Sequence, residues 1–274
     1  MMNYIMKNKK LIIVIGIVYL ILMGYFTFND LKIALWIYNP GTAYAKVFEF
    51  LGTIPMPIMG IFACIAFLMD LRYDSKIKKI LMGFLIVMNL SYFFFIGAFS
   101  IRDAISSMFV PFIILYALWG VASFFIARKY YVSDKADEFR KVVRVLLATC
   151  AIGVIGLDII KTTFGRPRFY LLDDPITQFK YWFIIQSHEF NSSFPSGHAA
   201  KAAMPFALFV LPYLTNHLKS NGSKAITLVL CIAFMLCTMI ARMMDGMHYA
   251  TDVLTGAVVV ILTFLISKNL ILDK

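Results

Sequence analysis

Long apolar stretches separated by short charged ones dominate this 274-residue chain. A helix needs about 20 consecutive apolar residues to cross a hydrocarbon core. Eight stretches meet or approach that length: Leu11–Phe28, Phe50–Met69, Ile80–Ser100, Met108–Ala127, Val142–Ile160, Ala199–Leu214, Ala225–Ile240 and Tyr249–Ile266. The sixth and seventh are the shortest. Runs of this length with so few charges predict membrane spans. The expected fold is all-α, a polytopic membrane helical bundle of about eight transmembrane helices, with residues 1–274 forming a single membrane domain. Two connecting segments on one side are long enough to carry structure of their own. Residues 29–49 place Trp36 and Tyr38 beside apolar neighbours, which suits a segment lying at the membrane interface. Residues 161–198 join the fifth and sixth spans. Residues 128–141 mix charges of both signs and read as a solvated turn.

Composition agrees with that pattern: 61% of residues are hydrophobic and 15% charged, against roughly 25% charged in an average soluble protein. The formal charge of +11 invites a nucleic-acid reading, but its placement points elsewhere. With the N-terminus cytoplasmic and the loops alternating sides, most basic residues fall in cytoplasmic segments, among them Lys7, Lys9, Lys10, Arg72, Lys76, Lys78, Lys79, Arg128, Lys129, Arg140, Lys141 and Arg144. That bias follows the positive-inside rule, and basic residues beside spans favour anionic lipid headgroups. Without a soluble nucleic-acid module, no nucleic-acid partner is expected; membrane lipids are. The expectation is a multi-pass protein of the cell membrane with both termini cytoplasmic. Lys7, Lys9 and Lys10 resemble the start of a signal peptide, but Ala43-Tyr44-Ala45 lies well past the apolar run, so an uncleaved first span is expected. Cys64, Cys150, Cys231 and Cys237 all sit inside apolar stretches without metal-ligand spacing.

Three segments at the edges of the later spans carry chemistry: Lys161-Thr-Thr-Phe-Gly-Arg166-Pro-Arg168, Phe194-Pro-Ser196-Gly197-His198, and Arg242-Met-Met-Asp245-Gly-Met-His248-Tyr-Ala-Thr-Asp252. All three fall on the extracytoplasmic side, and charge at such positions is costly without a task. On a helix, His248 and Asp252 would share a face one turn apart. The carboxylate would then fix the imidazole tautomer and leave the other nitrogen as nucleophile or base; a packed polar pair is the plainer reading. Ser196 has the place of a helix N-cap, and Gly197 lets a ligand approach the backbone. The same residues also suit an ordinary cap. Lys161, Arg168 and Arg242 are either phosphate ligands or snorkelling headgroup anchors.

Together the segments resemble the type 2 phosphatidic acid phosphatase superfamily, which is related to the vanadium haloperoxidases. That family's first motif is Lys, six residues, then Arg-Pro. Lys161 and Arg168 match it, with Phe169 in place of the Pro. Pro-Ser-Gly-His matches in full at 195–198. The third motif is Ser-Arg, five residues, His, three residues, Asp; Arg242, His248 and Asp252 match it, with Ala241 in place of the Ser. Arg166-Pro167 offers an Arg-Pro pair, but at the wrong distance from Lys161. The resemblance implies a phosphatase core over 142–266, with residues 1–141 as additional N-terminal spans.

It also implies a mechanism. His248 would attack phosphorus, Asp252 would orient it, and His198 would protonate the leaving alkoxide and then activate water. Lys161, Arg168, Ser196, Gly197 and Arg242 would hold the phosphate. The superfamily needs neither metal nor cofactor for this, and the chain offers no evident metal cage. The implied substrate is a lipid phosphomonoester or pyrophosphate, such as phosphatidic acid, phosphatidylglycerol phosphate, undecaprenyl pyrophosphate or a lipid A phosphate. A phosphotransferase using the same intermediate is an alternative, as is a transporter or binding protein for an anionic solute or lipid.

Overall fold

The computed structural model describes residues 9–70, 80, 83, 109–186, 192–216 and 218–273. Its first helix, α1 (Lys9–Ile37), is longer than the first apolar run. Its 29 residues span about 43 Å at 1.5 Å each, more than the roughly 30 Å of a hydrocarbon core. Residues 29–37, expected in an interfacial loop, therefore continue the helix, and Tyr38–Thr42 make the whole connection. Apolar side chains persist through Leu31, Ile33, Ala34 and Leu35, so the two polar residues Asn29 and Asp30 do not end it.

Thr42 caps α2 (Ala43–Thr53), its side chain accepting from the Ala45 N–H. Pro55 and Pro57 then open α3 (Pro55–Met69), where a missing N–H costs least. Together α2 and α3 form one span of 27 residues. After the gap come α4 (Phe109–Tyr131) and α5 (Ala136–Phe164), which leave only 132–135 of the expected polar connection outside helices. Residues 197–213 begin as α6 (Gly197–Ala203) and continue as a 3-10 segment, Met204–Tyr213, with Pro205 at its start. Pro205 has no N–H to donate, so the α-helical ladder cannot run through it. Two long helices complete the chain, α7 (Asn221–Met244) and α8 (Ala250–Ile271).

Six helices among the described residues are long and apolar enough to cross a membrane: α1, α2 with α3, α4, α5, α7 and α8. They correspond to six of the eight expected spans. Most of the third, Ile80–Ser100, lies outside the described residues, and the sixth is the shorter, broken α6 segment. The protein is a helical membrane bundle, with no strand among the described residues.

Helix α8 is its axis. It packs against α5, α6 and α1, while α3 lies against α4 and α5, and α2 against α7. The apolar surface of α1 remains open along Leu11, Val14, Ile17, Val18 and Ile21, as lipid contact requires. One core joins Met56, Ile61, Ala200, Ala203, Val253 and Val260. A second joins Phe139, Val142, Val143, Val210 and Phe264 nearer the opposite end. The ends of α5 and α7 and the beginnings of α6 and α8 meet at one end of the bundle.

Candidate active site

Local rules bring the three motif segments together. Lys161 lies in the last turn of α5. Gly165 then adopts a left-handed conformation, φ 59° and ψ 21°, and its N–H bonds back to the Lys161 carbonyl. A side chain is disfavoured at such a position, and Gly removes that cost. The chain reverses there, so Arg166–Arg168 returns across the top of α8.

Ser196 caps α6, its Oγ accepting from the Ala199 N–H at 3.3 Å. Its backbone N–H donates to the Asp252 carbonyl at 2.9 Å, which ties the Pro-Ser-Gly-His segment to α8. Gly256, one turn further along α8, makes this approach possible. A Cβ there would lie 2.1 Å from the Ser196 carbonyl oxygen.

His248 precedes α8 rather than sitting on it, since the helix starts at Ala250. The two residues therefore do not share one helical face, although they remain close. The His248 Nδ1 lies 2.7 Å from the Ser193 carbonyl and 3.8 Å from Asp252 Oδ2. A carbonyl can only accept, so Nδ1 carries the proton and Nε2 is the free nitrogen. Ser193, not Asp252, sets the tautomer. Ser193 was not legible as a site residue, because its contribution comes through the backbone.

Asp252 is fully buried, with other commitments. Its Oδ2 accepts from the Tyr249 N–H at 2.8 Å, capping α8. Its Oδ1 accepts from Arg166 NH1 at 2.7 Å. Arg166, set aside in the sequence for its spacing, is also wholly buried. It donates from Nε to the Lys180 carbonyl, from NH1 to Thr251 and from NH2 to Asp30 on α1. Its guanidinium carbon stacks 3.9 Å from the Tyr249 ring centroid.

Arg168 behaves differently. Half-buried, it donates from NH1 to the Met247 sulfur at 3.2 Å, and its Nε is buried without a partner. Arg242 is buried; its NH1 pairs with Glu49 of α2 at 2.7 Å and with Asp245 at 3.3 Å, and its Nε also lacks a partner. A buried N–H left unpaired costs roughly 1–3 kcal/mol. Both of these N–H groups belong to guanidiniums of the motif segments.

Lys161, Gly197 and His198 are half-buried around the same place. Burial first, and then the charges of Arg242, Lys201, His248 and Lys161, hold His198 well below the usual imidazole range. Burial also brings His248 down to about 4, with Lys161 and Arg242 adding to the effect and Asp252 opposing it. Both rings are thus neutral near pH 7. Among the described residues, no group of three or more His, Cys, Asp or Glu side chains is arranged to hold a metal ion.

The two departures from the family pattern are absorbed by packing. Phe169 is buried, its ring meeting Tyr38 edge-on at 5.0 Å and Tyr249 at 6.3 Å. Ala241 is fully buried. Asp30 and Glu49 were also missed. One visible signal for Asp30 was an acid between apolar turns, which is rarely placed without a partner.

Comparison with known proteins finds one family that part of this chain resembles. The PAP2 superfamily model matches residues 141–274, the part that carries all three motif segments. No curated protein and no solved structure matches the chain.

Proposed function

We propose, on the premise that residues 141–274 belong to the PAP2 superfamily, that the chain hydrolyses the phosphate of a membrane lipid at the extracytoplasmic face. Membership of that family supports phosphatase-type chemistry in general. The lipid substrate, the residue roles and the covalent intermediate are our reading of the site. One observation carries it: the unpartnered Nε atoms of Arg168 and Arg242, buried beside Lys161, His198 and His248. Guanidinium N–H donors match phosphate oxygens in geometry and charge.

In this reading the phosphate oxygens are held by Lys161, Arg168, Arg242, the Ser196 hydroxyl and the Gly197 N–H. His248 Nε2 attacks phosphorus in line with the leaving oxygen. The P–O bond to the lipid breaks, and His198 gives its proton to the departing alkoxide. The phosphohistidine is cationic, and the Asp252 carboxylate at 3.8 Å stabilises that charge as the acid of a catalytic triad does. His198, now a base, takes a proton from water. The water oxygen bonds to phosphorus, the P–N bond breaks, and phosphate leaves. The cations favour the transition state because they are already oriented towards the charge as it develops.

A lipid substrate fits the position of the site at one end of a membrane bundle, where headgroups lie and acyl or prenyl tails can stay in the bilayer. The test is phosphate release by protein purified in detergent, with a chelator present, over a panel of lipid phosphates. Wild type releases phosphate, and His248→Ala loses at least about 1,000-fold in kcat, on the scale expected when a nucleophile is removed. Equal rates for the two proteins would remove His248 as nucleophile.

A further inference from the structure

The network beneath the site contains a carboxylate that the chemistry above does not use. Asp30 comes from α1, outside the segment that matches the family, and its side chain is 1% exposed. It accepts from Arg166 NH2 at 3.0 Å, from the Thr251 N–H at 3.0 Å and from the Thr251 hydroxyl. Arg166 in turn donates to Asp252. Two buried carboxylates therefore share one guanidinium, and Thr251 fixes the outer one.

Charge counting shows why that matters. Arg166 alone with Asp252 would be a neutral buried pair, its negative charge spent on the guanidinium. With Asp30 on the far side of Arg166, the trio keeps a net charge of −1, and the side open to His248 is the Asp252 end. Attack on phosphorus turns His248 from neutral to cationic. The stabilisation this cation receives depends on the negative charge left within a few ångströms, in surroundings where charges act strongly.

We propose that Asp30 is a positioning residue for the reaction: through Arg166 it keeps Asp252 oriented and negatively charged towards His248, which makes α1 part of the catalytic unit. The inference rests on the phosphohistidine reading above. Asp30 touches neither substrate nor the reacting nitrogen, so its effect belongs to the chemical step and not to phosphate binding.

The test compares wild type, Asp30→Asn, Arg166→Gln and the double variant in the full-length purified protein. Turnover is measured on para-nitrophenyl phosphate, with inorganic phosphate as competitive inhibitor. Asp30→Asn lowers kcat about 10- to 100-fold, the range seen when a partner that orients a reacting group is removed. KM and inhibition by inorganic phosphate stay within about twofold, the pattern of an interaction made in the transition state. Arg166→Gln leaves two buried carboxylates facing each other without a cation and falls further. Adding Asp30→Asn to it restores the charge of −1, so the double variant is more active than Arg166→Gln alone, the non-additivity of a coupled pair.

A scaffold role predicts the opposite, a double variant at or below the product of the two single losses, and that result would overturn the proposal. So would wild-type kcat in Asp30→Asn, or a loss shared equally between kcat and phosphate inhibition. If Asp30→Asn does not accumulate as folded protein, Thr251→Val decides. It removes one hydroxyl from Asp30 while keeping the charge, and it lowers kcat severalfold at unchanged KM; unchanged kcat would sink the idea. Should His248→Ala keep full activity, the reading beneath fails; should it be dead while Asp30→Asn is normal, only this inference does.

Discussion

His198 and His248 share one electrostatic field but need different protonation states for the proposed chemistry. His248 must be neutral to attack, and its burial, which brings it to about 4, provides that across the physiological range. His198 must carry a proton for the leaving oxygen, yet burial and the surrounding cations hold it well below its ordinary value. A bound phosphate resolves the conflict. In the proposed complex its negative charge would lie among Lys161, Arg168 and Arg242, offset their field and raise the His198 affinity for a proton. The sign is testable. The pH dependence of kcat/KM reports the free enzyme, and that of kcat reports the complex. Activity that requires protonated His198 falls as pH rises through its pKa. The alkaline limb of kcat therefore lies above that of kcat/KM, by about one unit or more, where one unit corresponds to 1.36 kcal/mol of differential interaction. Profiles measured on a soluble phosphomonoester would show this. Coincident limbs would mean that the proton reaches the leaving group by another route.

At the scale of elements, the site exists because α8 lets the Ser196 segment lie directly on it. Gly256 is the permissive position, and the atoms a Cβ would meet are backbone, at 2.1 Å and 3.0 Å, which cannot rotate away. Gly256→Ala must therefore displace residues 194–198 from α8. A shift of about 1 Å can cost on the order of 100-fold in rate, so the expected outcome is a loss of that size with a lower Tm. Gly16→Ala is the control, since nothing lies within 4 Å of its added methyl, and it keeps wild-type turnover. The sequence showed Gly256 only as one more residue in an apolar run. Apolar length revealed the spans because lipid contact demands it, and motif spacing singled out Lys161, Arg168, Ser196, His198, Arg242 and His248 as candidates. Ends and partners were less legible. Asp30 looked like a loop residue because its cost is met by Arg166, which is 136 positions away. The His248–Asp252 spacing suggested a pair on one helical face, but the helix starts after His248, and the shorter contact of its Nδ1 goes to the Ser193 carbonyl.

The whole molecule is polarised along its axis. At one end lie the three motif segments, with Asp30 of α1 and Glu49 of α2 reaching into them. The Tyr38–Thr42 connection is pinned there as well, by the Asn39 N–H to the Met244 carbonyl at 3.0 Å and the Gly41 N–H to Asp245 at 3.3 Å. At the other end, Arg140 of α5 pairs with Asp70 after α3 at 3.0 Å, and Lys268 in the last turn of α8 pairs with Asp273 just beyond it at 2.9 Å. Arg128, Lys129, Arg140, Lys141 and Arg144 gather at that end, and from the positive-inside rule we propose that it faces the cytoplasm. The proposed orientation then puts the phosphate site on the outer face. Single cysteines can report it: Asp174→Cys in the exposed segment beside the site, and Asp134→Cys in the exposed turn between α4 and α5. Cys64, Cys150 and Cys231 are buried, and the half-buried Cys237 is replaced by Ser in both variants. A membrane-impermeant thiol reagent added to intact cells labels the first and not the second, and permeabilising the cells exposes the second. The reverse pattern would place the site in the cytoplasm, where its substrates would be inner-leaflet lipids and the basic loops would face outward against the charge rule.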